Sequence, residues 1–180
     1  MLEYPDVPLI TWQDEVVGQA QLSVVRKLGL PARVARVFLV KGDEILLQER
    51  SSNVDHGEVK DCSAEGWVDM TDLSEAGEPG DYTTAGARET EEELGLTIAR
   101  DDLTAVAHYL LQIATANPPE WTKLFVIEHQ PSRQGIIQPN DEVAGTQWVD
   151  VHEAHQWAQN APQDFEPGAP LALDHLVRHF

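Results

Sequence analysis

Apolar blocks alternate with polar turns along most of the chain, and their spacing predicts a fold that mixes strands and helices. The segment ARVARVFLVKGDEILLQER, residues 32–50, holds two apolar blocks separated by Lys-Gly-Asp-Glu, which predicts a β-hairpin with Gly42 in its turn. Residues 9–20 predict a shorter strand pair that turns near residues 13–15, and QLSVVRKLG predicts a helical link after it. Three further strands are predicted in LTAVAHYLLQIA, EWTKLFVIEHQ and GTQWVDV.

A polar stretch, residues 51–82, separates the hairpin from the next helix. It is rich in Ser, Asp, Gly and Glu, which predicts mostly ordered loop. Such a long loop inside a compact domain is usually functional or disordered. The helix after it is predicted over residues 84–94, capped by Asp81 or Thr83 and ended by Gly95. Two final helices, HEAHQWAQNA and PLALDHLVRHF, are predicted around an extended FEPGAP linker.

Length and charge limit the classes of function. A chain of 180 residues predicts a single domain over residues 1–180. The formal net charge of -19 opposes binding to nucleic acid polymers and to anionic membrane surfaces, and no apolar run approaches the ~20 residues of a membrane span. A small anionic substrate would need a metal ion or local arginines to overcome this field. No leader is visible at the start, so a cytoplasmic location is expected.

The segment RETEEELGL, residues 88–96, carries the candidate chemistry. On a helix Glu89, Glu92 and Glu93 share one face, because they stand at positions i, i+3 and i+4. Carboxylates are the ligands that Mg²⁺ and Mn²⁺ prefer, so the three glutamates predict a divalent metal site that faces a pyrophosphate. Arg88 stands four residues before Glu92, within reach of an ion pair. From spacing alone, a solvated, charged helix face is the commoner interpretation, because runs of glutamate are frequent on protein surfaces.

The same segment resembles the Nudix hydrolase family. The signature of that family is Gly, five residues, Glu, seven residues, Arg-Glu-apolar-any-Glu-Glu-any-Gly-apolar. Its second half matches from Arg88 to Leu96 except at Thr90, which is less apolar than the family prefers. The first half fits less well: Gly80 stands where the family has glutamate. The nearest substitute is Gly77-Glu78, two residues too far upstream. We therefore interpret residues 66–96 as a Nudix box with insertions that opens at Gly66.

The resemblance extends to most of the chain. WQDEVVGQA, ARVARVFLVKGDEILLQERS, DEVAGTQWVDVHE and FEPGAPLAL look like the branch of Nudix proteins around isopentenyl-diphosphate isomerase. It implies an α/β fold, a Nudix α/β/α sandwich with a mixed β-sheet, in which the box helix covers one face and the C-terminal helix the other. A homodimer is expected from the family alone.

Two activities within this branch are compared through the residues present. The isomerase uses a cysteine next to Gly-His-Pro and metal-binding histidines. Cys62, the only cysteine, lies two positions before the equivalent site, which is Ala64, and LPARVARV contains no histidine. The isomerase is therefore disfavoured, and Cys62 is expected to be a buried apolar residue.

The resemblance favours metal-dependent hydrolysis of a diphosphate linkage in a nucleoside diphosphate derivative or a related small molecule. It implies catalytic roles for Arg88, Glu89, Glu92 and Glu93, with the glutamates as metal ligands and Glu89 alternatively as a base. Arg36 and Arg50 are candidates for substrate phosphate, and Glu142 is a candidate site residue because some family members present a base from that loop. A non-catalytic, Nudix-like binding module remains the third alternative.

Overall fold

A mixed β-sheet between two helical layers forms the centre of the fold. The computed structural model describes residues 4–112 and 118–180. Its strands are β1 (Asp6–Ile10), β2 (Val16–Gln21), β3 (Ala32–Lys41), β4 (Glu44–Arg50), β5 (Lys60–Asp61), β6 (Ala64–Trp67), β7 (Thr104–Leu111), β8 (Glu120–Glu128) and β9 (Val143–Asp150). Its helices are α1 (Leu22–Leu28), α2 (Tyr82–Leu94), α3 (Pro131–Gln134), α4 (Val151–Asn160) and α5 (Ala169–Leu176).

Strand β3 organises the sheet. It runs parallel to β8, and β8 pairs antiparallel with β7, while β9 pairs antiparallel with β4. The predicted hairpin is confirmed, with Gly42 at φ 61° in the turn between β3 and β4. The N-terminal strand pair and the helical link are confirmed as β1, β2 and α1, with Asp14 at φ 63° in the turn. The predicted strand LTAVAHYLLQIA ends at Leu111, and its last two residues, 113 and 114, lie outside the described part of the chain.

Residues 51–82 are mostly loop, as predicted, but two short strands that the sequence did not indicate, β5 and β6, lie in this segment. Strands β3 and β4 pair only next to their turn, at Val40↔Ile45 and Lys41↔Glu44, and then separate. Strand β5 pairs with β4, and β6 pairs with β3, so this segment enters the gap between the two hairpin strands.

Ser63 joins the two separated strands at the point where the segment enters. Its fully buried hydroxyl accepts a hydrogen bond from Leu39 N at 2.8 Å and donates one to Leu46 O at 2.6 Å. One side chain thus satisfies two buried backbone groups that would otherwise have lost their ladder partners. The gap held open in this way is where the cleft described below begins.

Two apolar cores, one on each face of the sheet, confirm the predicted three-layer sandwich. The core under α2 contains Ala35, Val37, Leu39, Leu46, Ala85, Leu94 and Phe125. The core under α4 and α5 contains Phe38, Ile45, Leu47, Leu124, Ala154, Leu173 and Leu176. Alternate residues of β3 thus face opposite cores, as the period of two in a strand requires.

Both ends of α2 follow from its local sequence. Of the two predicted caps, Asp81 is the one present: its carboxylate accepts a hydrogen bond from Thr84 N. The helix ends at Gly95, whose φ of 67° is the left-handed conformation that favours glycine. Among the described residues, no helix has the length and apolar character needed to cross a membrane.

Candidate functional site

A cleft of about 280 Å³ opens between strands β4 and β6 and helix α2. The strands contribute Gln48, Arg50, Glu65, Gly66 and Trp67 to its walls, α2 contributes Arg88, Glu89 and Glu93, and the loop before β9 contributes Glu142. Most of the polar residues named from the sequence therefore meet in one place. Strands β4 and β6 and helix α2 bring them together, although they are far apart along the chain.

Glu89 lies against the backbone of β6. A side-chain Cβ built at Gly66 would stand 1.9 Å from Glu89 Oε1, so only glycine leaves room for this carboxylate. Arg88 Nη1 donates to Glu89 Oε1 at 2.7 Å. Burial nevertheless outweighs the attraction of Arg88 and raises the pKa of Glu89 to about 8.

Glu93 lies one helical turn further along the same face. It is 5 % exposed, and its Oε2 accepts a hydrogen bond from Gln48 Nε2 at 2.9 Å. Burial, and then the negative charge of Glu89, raise the pKa of Glu93 well above its usual range. Two buried carboxylates next to each other strongly favour a proton or a cation between them.

Glu92 does not join the other two glutamates in the cleft. Its side chain is 56 % exposed, and it does not line the cleft walls. Its Oε2 lies 3.2 Å from Arg88 Nη1, which confirms the ion pair expected from the four-residue spacing. The expected convergence of all three carboxylates is thus replaced by a pair inside the cleft and one carboxylate at its outer edge.

Arg88 binds a residue that the sequence analysis did not identify. Asp72, which is 1 % exposed, accepts from Arg88 Nε through Oδ1 at 2.9 Å and from Nη2 through Oδ2 at 3.0 Å. This two-point contact is the strong geometry for a guanidinium and a carboxylate. Counted forward from Gly66 rather than back from Arg88, Asp72 stands at the position of the first box glutamate.

The displaced half of the box is explained by an insertion, residues 73–80. The two ends of this segment meet, because Asp81 N donates to Asp72 O at 2.8 Å and Leu73 bridges to Pro79. Glu78 is exposed on the segment, so the interpretation of Gly77-Glu78 as the substitute is corrected to Asp72. The forward count from Gly66 was the signal that could have found it.

Arg50 and Glu142 both lie at the cleft. The guanidinium of Arg50 donates to Asp61 Oδ2 at 2.7 Å and to Asp55 O at 3.0 Å, and stands 3.6 Å from Glu65 Oε1. Its side chain is thus held at the cleft wall by partners on the inserted strands. Glu142 is exposed at the rim, where its backbone carbonyl accepts from Ser51 N at 2.8 Å.

The structure contradicts the expectation that Arg36 contacts a substrate phosphate. It is 1 % exposed and lines none of the cleft, since its side chain points to the face of the sheet that α4 and α5 cover. Three carboxylates surround its guanidinium: Glu65 at 2.9 Å, Glu120 at 3.2 Å and Glu166 at 3.3 Å. Because these three carboxylates already balance the charge of the guanidinium, Arg36 is not available to bind a phosphate.

The cleft suits a hard divalent cation. Its ligand atoms are carboxylate and amide oxygens, which Mg²⁺ and Mn²⁺ prefer, and Gln48 Oε1 is buried there with no hydrogen-bond partner in the described part of the chain. Among the described residues, one group of three has ligand atoms within 4.8 Å of one another: Asp61, Cys62 and Glu65, of which Glu65 alone lines the cleft. Asp61 is already engaged by Arg50 and by Cys62 N at 2.7 Å, so the glutamates of α2 are the better candidates.

Cys62 is fully buried, and its thiol donates to Ala64 O at 3.3 Å. Burial raises the pKa of the thiol well above its usual range, so it stays neutral. Because it lines none of the cleft, it matches the expected buried apolar residue.

The model of the NUDIX domain family matches residues 30–169. The chain belongs to the NUDIX domain family, and its class is that of the Nudix-type hydrolases. No curated protein sequence matches it.

Solved structures share the fold. DR0079 from Deinococcus radiodurans is 22 % identical with a TM-score of 0.67, over 94 % of this chain and 98 % of that one. A MutT NUDIX hydrolase from Burkholderia pseudomallei is 18 % identical with a TM-score of 0.58, over 81 % and 98 %. A bifunctional NMN adenylyltransferase/ADP ribose pyrophosphatase from Francisella tularensis, complexed with AMP and a Mn ion, is 14 % identical with a TM-score of 0.60, over 83 % and 42 %.

Proposed function

We propose that this protein hydrolyses a diphosphate linkage in a small molecule, such as a nucleoside diphosphate derivative, with Mg²⁺ or Mn²⁺. The observation that carries the proposal is the pair of buried carboxylates, Glu89 and Glu93, that face an arginine-edged cleft in a Nudix-type hydrolase. A bound divalent ion would neutralise the diphosphate and supply an activated water. Glu89 and Glu93 would hold it, with Glu92 as an outer ligand.

The residues of the chain have separate roles in this proposal. Arg50, fixed by Asp61 at 2.7 Å, would orient a phosphate oxygen. Glu89 lines the cleft and is the alternative candidate for the general base that takes a proton from the attacking water, if it does not bind metal. Arg88, tied to Asp72, would hold the Glu89 carboxylate against Gly66. Glu142 at the rim is a second candidate for the base.

A substrate screen tests the proposal. Purified protein with and without Mg²⁺ is offered nucleoside diphosphate sugars, dinucleotide polyphosphates, nucleoside triphosphates and isopentenyl diphosphate. Phosphate release after a phosphatase step and isomer formation are followed separately. Magnesium-dependent release that is lost in Glu93→Gln supports the hydrolase. Tight ligand binding without turnover would instead support the non-catalytic binding module.

The expectations of a cytoplasmic location, a single domain and a homodimer stay predictions. Light scattering after size exclusion tests the third: a mass near the chain's 20.0 kDa would contradict the dimer.

A further inference from the structure

Gln48 lies behind the glutamates of the cleft and is not part of the Nudix box. It comes from β4, is 2 % exposed, and lines the cleft with Glu89 and Glu93. Its Nε2 donates to Glu93 Oε2 at 2.9 Å. A hydrogen bond to a carboxylate that has lost most of its solvent is short and strong.

The partner of Nε2 determines the direction of the other end of the amide. A Glu93 that binds metal is ionised, and its oxygens then only accept hydrogen bonds, so the amide nitrogen faces Glu93 and the planar amide directs Oε1 away from it. In the described residues Oε1 is buried and has no hydrogen-bond partner. A buried acceptor without a partner is rare and unfavourable unless water or a ligand satisfies it.

Gln134 offers a comparison within the same chain. It is also 2 % exposed, yet its Nε2 donates to Glu128 O at 3.2 Å and its Oε1 accepts from Gln130 N at 2.8 Å. Both ends of Gln134 therefore serve the fold. Gln48 uses one end on a candidate metal ligand and leaves the other open in the cleft.

We propose that Gln48 is a positioning residue for the reaction: its N–H fixes the Glu93 carboxylate, and its Oε1 accepts a hydrogen bond from water held in the loaded cleft. The inference rests on the proposed function, because it assumes that Glu93 binds the metal. Partners that orient a ligand in this way typically change metal affinity by about 10- to 100-fold.

The test compares Gln48→Met, Gln48→Asn and Gln134→Met. Methionine keeps the length of the side chain without polar atoms, and asparagine keeps the amide but is one methylene too short to reach Glu93. The dissociation constant for Mn²⁺ is measured on metal-free protein by the electron paramagnetic resonance of free Mn²⁺. Thermal unfolding is recorded for each variant, and kcat and KM are measured separately on the best substrate of the screen.

Both Gln48 variants are expected to bind Mn²⁺ about 10-fold or more weakly and to lose kcat with little change in KM. Gln134→Met is expected to lose thermal stability but keep the wild-type Mn²⁺ affinity. If Gln48→Met fails to fold, Gln48→Asn alone decides.

Wild-type Mn²⁺ affinity and kcat in the folded Gln48 variants, or an equal loss of affinity in Gln134→Met, would overturn the inference and leave the hydrolase proposal standing. Wild-type protein that neither binds Mn²⁺ nor releases phosphate would overturn both.

Discussion

Arg88 and Asp72 form a two-point ion pair, with Nε to Oδ1 at 2.9 Å and Nη2 to Oδ2 at 3.0 Å. Arg88 also holds Glu89 at 2.7 Å, so this pair connects the segment after β6 to the cleft glutamates. The carboxylate of Asp72 thus anchors the arginine of the box from outside the helix.

Asp72→Asn is expected to destabilise the protein by about 2 kcal/mol, because it removes the buried carboxylate from a two-point, charge-assisted contact, although Arg88 keeps its contacts with Glu89 and Glu92. Urea unfolding measures the change. Glu78→Gln is the matched control, since Glu78 is exposed on the insertion and its replacement should change stability by less than about 0.5 kcal/mol. A larger loss of stability in Glu78→Gln than in Asp72→Asn would indicate that Glu78, and not Asp72, takes the place of the first box glutamate.

Gly66→Ala is expected to displace Glu89 and spare the fold. The new Cβ would stand 1.9 Å from the end of a flexible side chain, which moves away more easily than backbone does. Mn²⁺ affinity should fall about 10-fold, with a change in unfolding free energy of about 1 kcal/mol or less. Gly145→Ala, where no atom lies within 4 Å, should leave both unchanged. Wild-type affinity in Gly66→Ala would contradict the placement of Glu89.

The three box glutamates are expected to differ in importance. Glu89→Gln and Glu93→Gln should each reduce kcat by about 100-fold or more, since they remove buried charge from the cleft. Glu92→Gln should reduce it by about 10-fold or less, because its side chain is 56 % exposed and outside the cleft. Steady-state kinetics on one substrate compare the three. If Glu92→Gln is the most damaged variant, the ligand arrangement proposed here is wrong.

The carboxylates around Arg36 predict a pH dependence of stability. Burial outweighs the attraction of Arg36 and raises the pKa of Glu120 to about 8. Folding therefore favours the protonated form: the contribution of Glu120 is fully present below its unfolded pKa of about 4.5 and is lost as the pH rises through about 8.

In the wild-type protein, the charge on Glu120 should lower the free energy of unfolding as the pH rises from 5 to 8. Glu120→Gln removes this effect and should make the decrease less steep by up to about 1.4 kcal/mol per pH unit. Urea titrations at several pH values measure the slope. Glu75→Gln, at an exposed position, serves as the control and should keep the wild-type slope. A steeper slope in Glu120→Gln would show that the sign assigned to this carboxylate is wrong.

Cys62→Ala distinguishes hydrolysis from isomerisation. The thiol is fully buried and outside the cleft, so phosphate release should stay within about 2-fold of wild type, with a stability loss of about 1 kcal/mol. The same assay that follows phosphate and isomer separately checks it. Loss of activity by several orders of magnitude in a folded variant would favour the isomerase chemistry.

The strand and helix pattern was predictable where local signals agree. The apolar blocks of β3 and β4, the glycine turn at Gly42, and the run from the Asp81 cap to Gly95 depend on neighbours a few residues away. The segment between them was not predictable in the same way. Strands β5 and β6 are too short to show a pattern of their own and pair only because the hairpin strands separate.

Arg36 and Arg50 show the same limit at the level of the site. Both stand in strands of the predicted hairpin, yet Arg36 is enclosed by three carboxylates and Arg50 borders the cleft. The partners of Arg36 come from β6, β8 and the segment before α5, so no local pattern could assign them.

By itself, the sequence determined the family resemblance, the α2 glutamates and the turns, because each depends on residue type at short spacing. Only the tertiary structure decided that Glu93 meets Gln48, that Arg88 meets Asp72 across an insertion, and that Glu92 remains outside. These are contacts between residues distant in sequence, and burial and electrostatics select them only after the sheet and helix have packed.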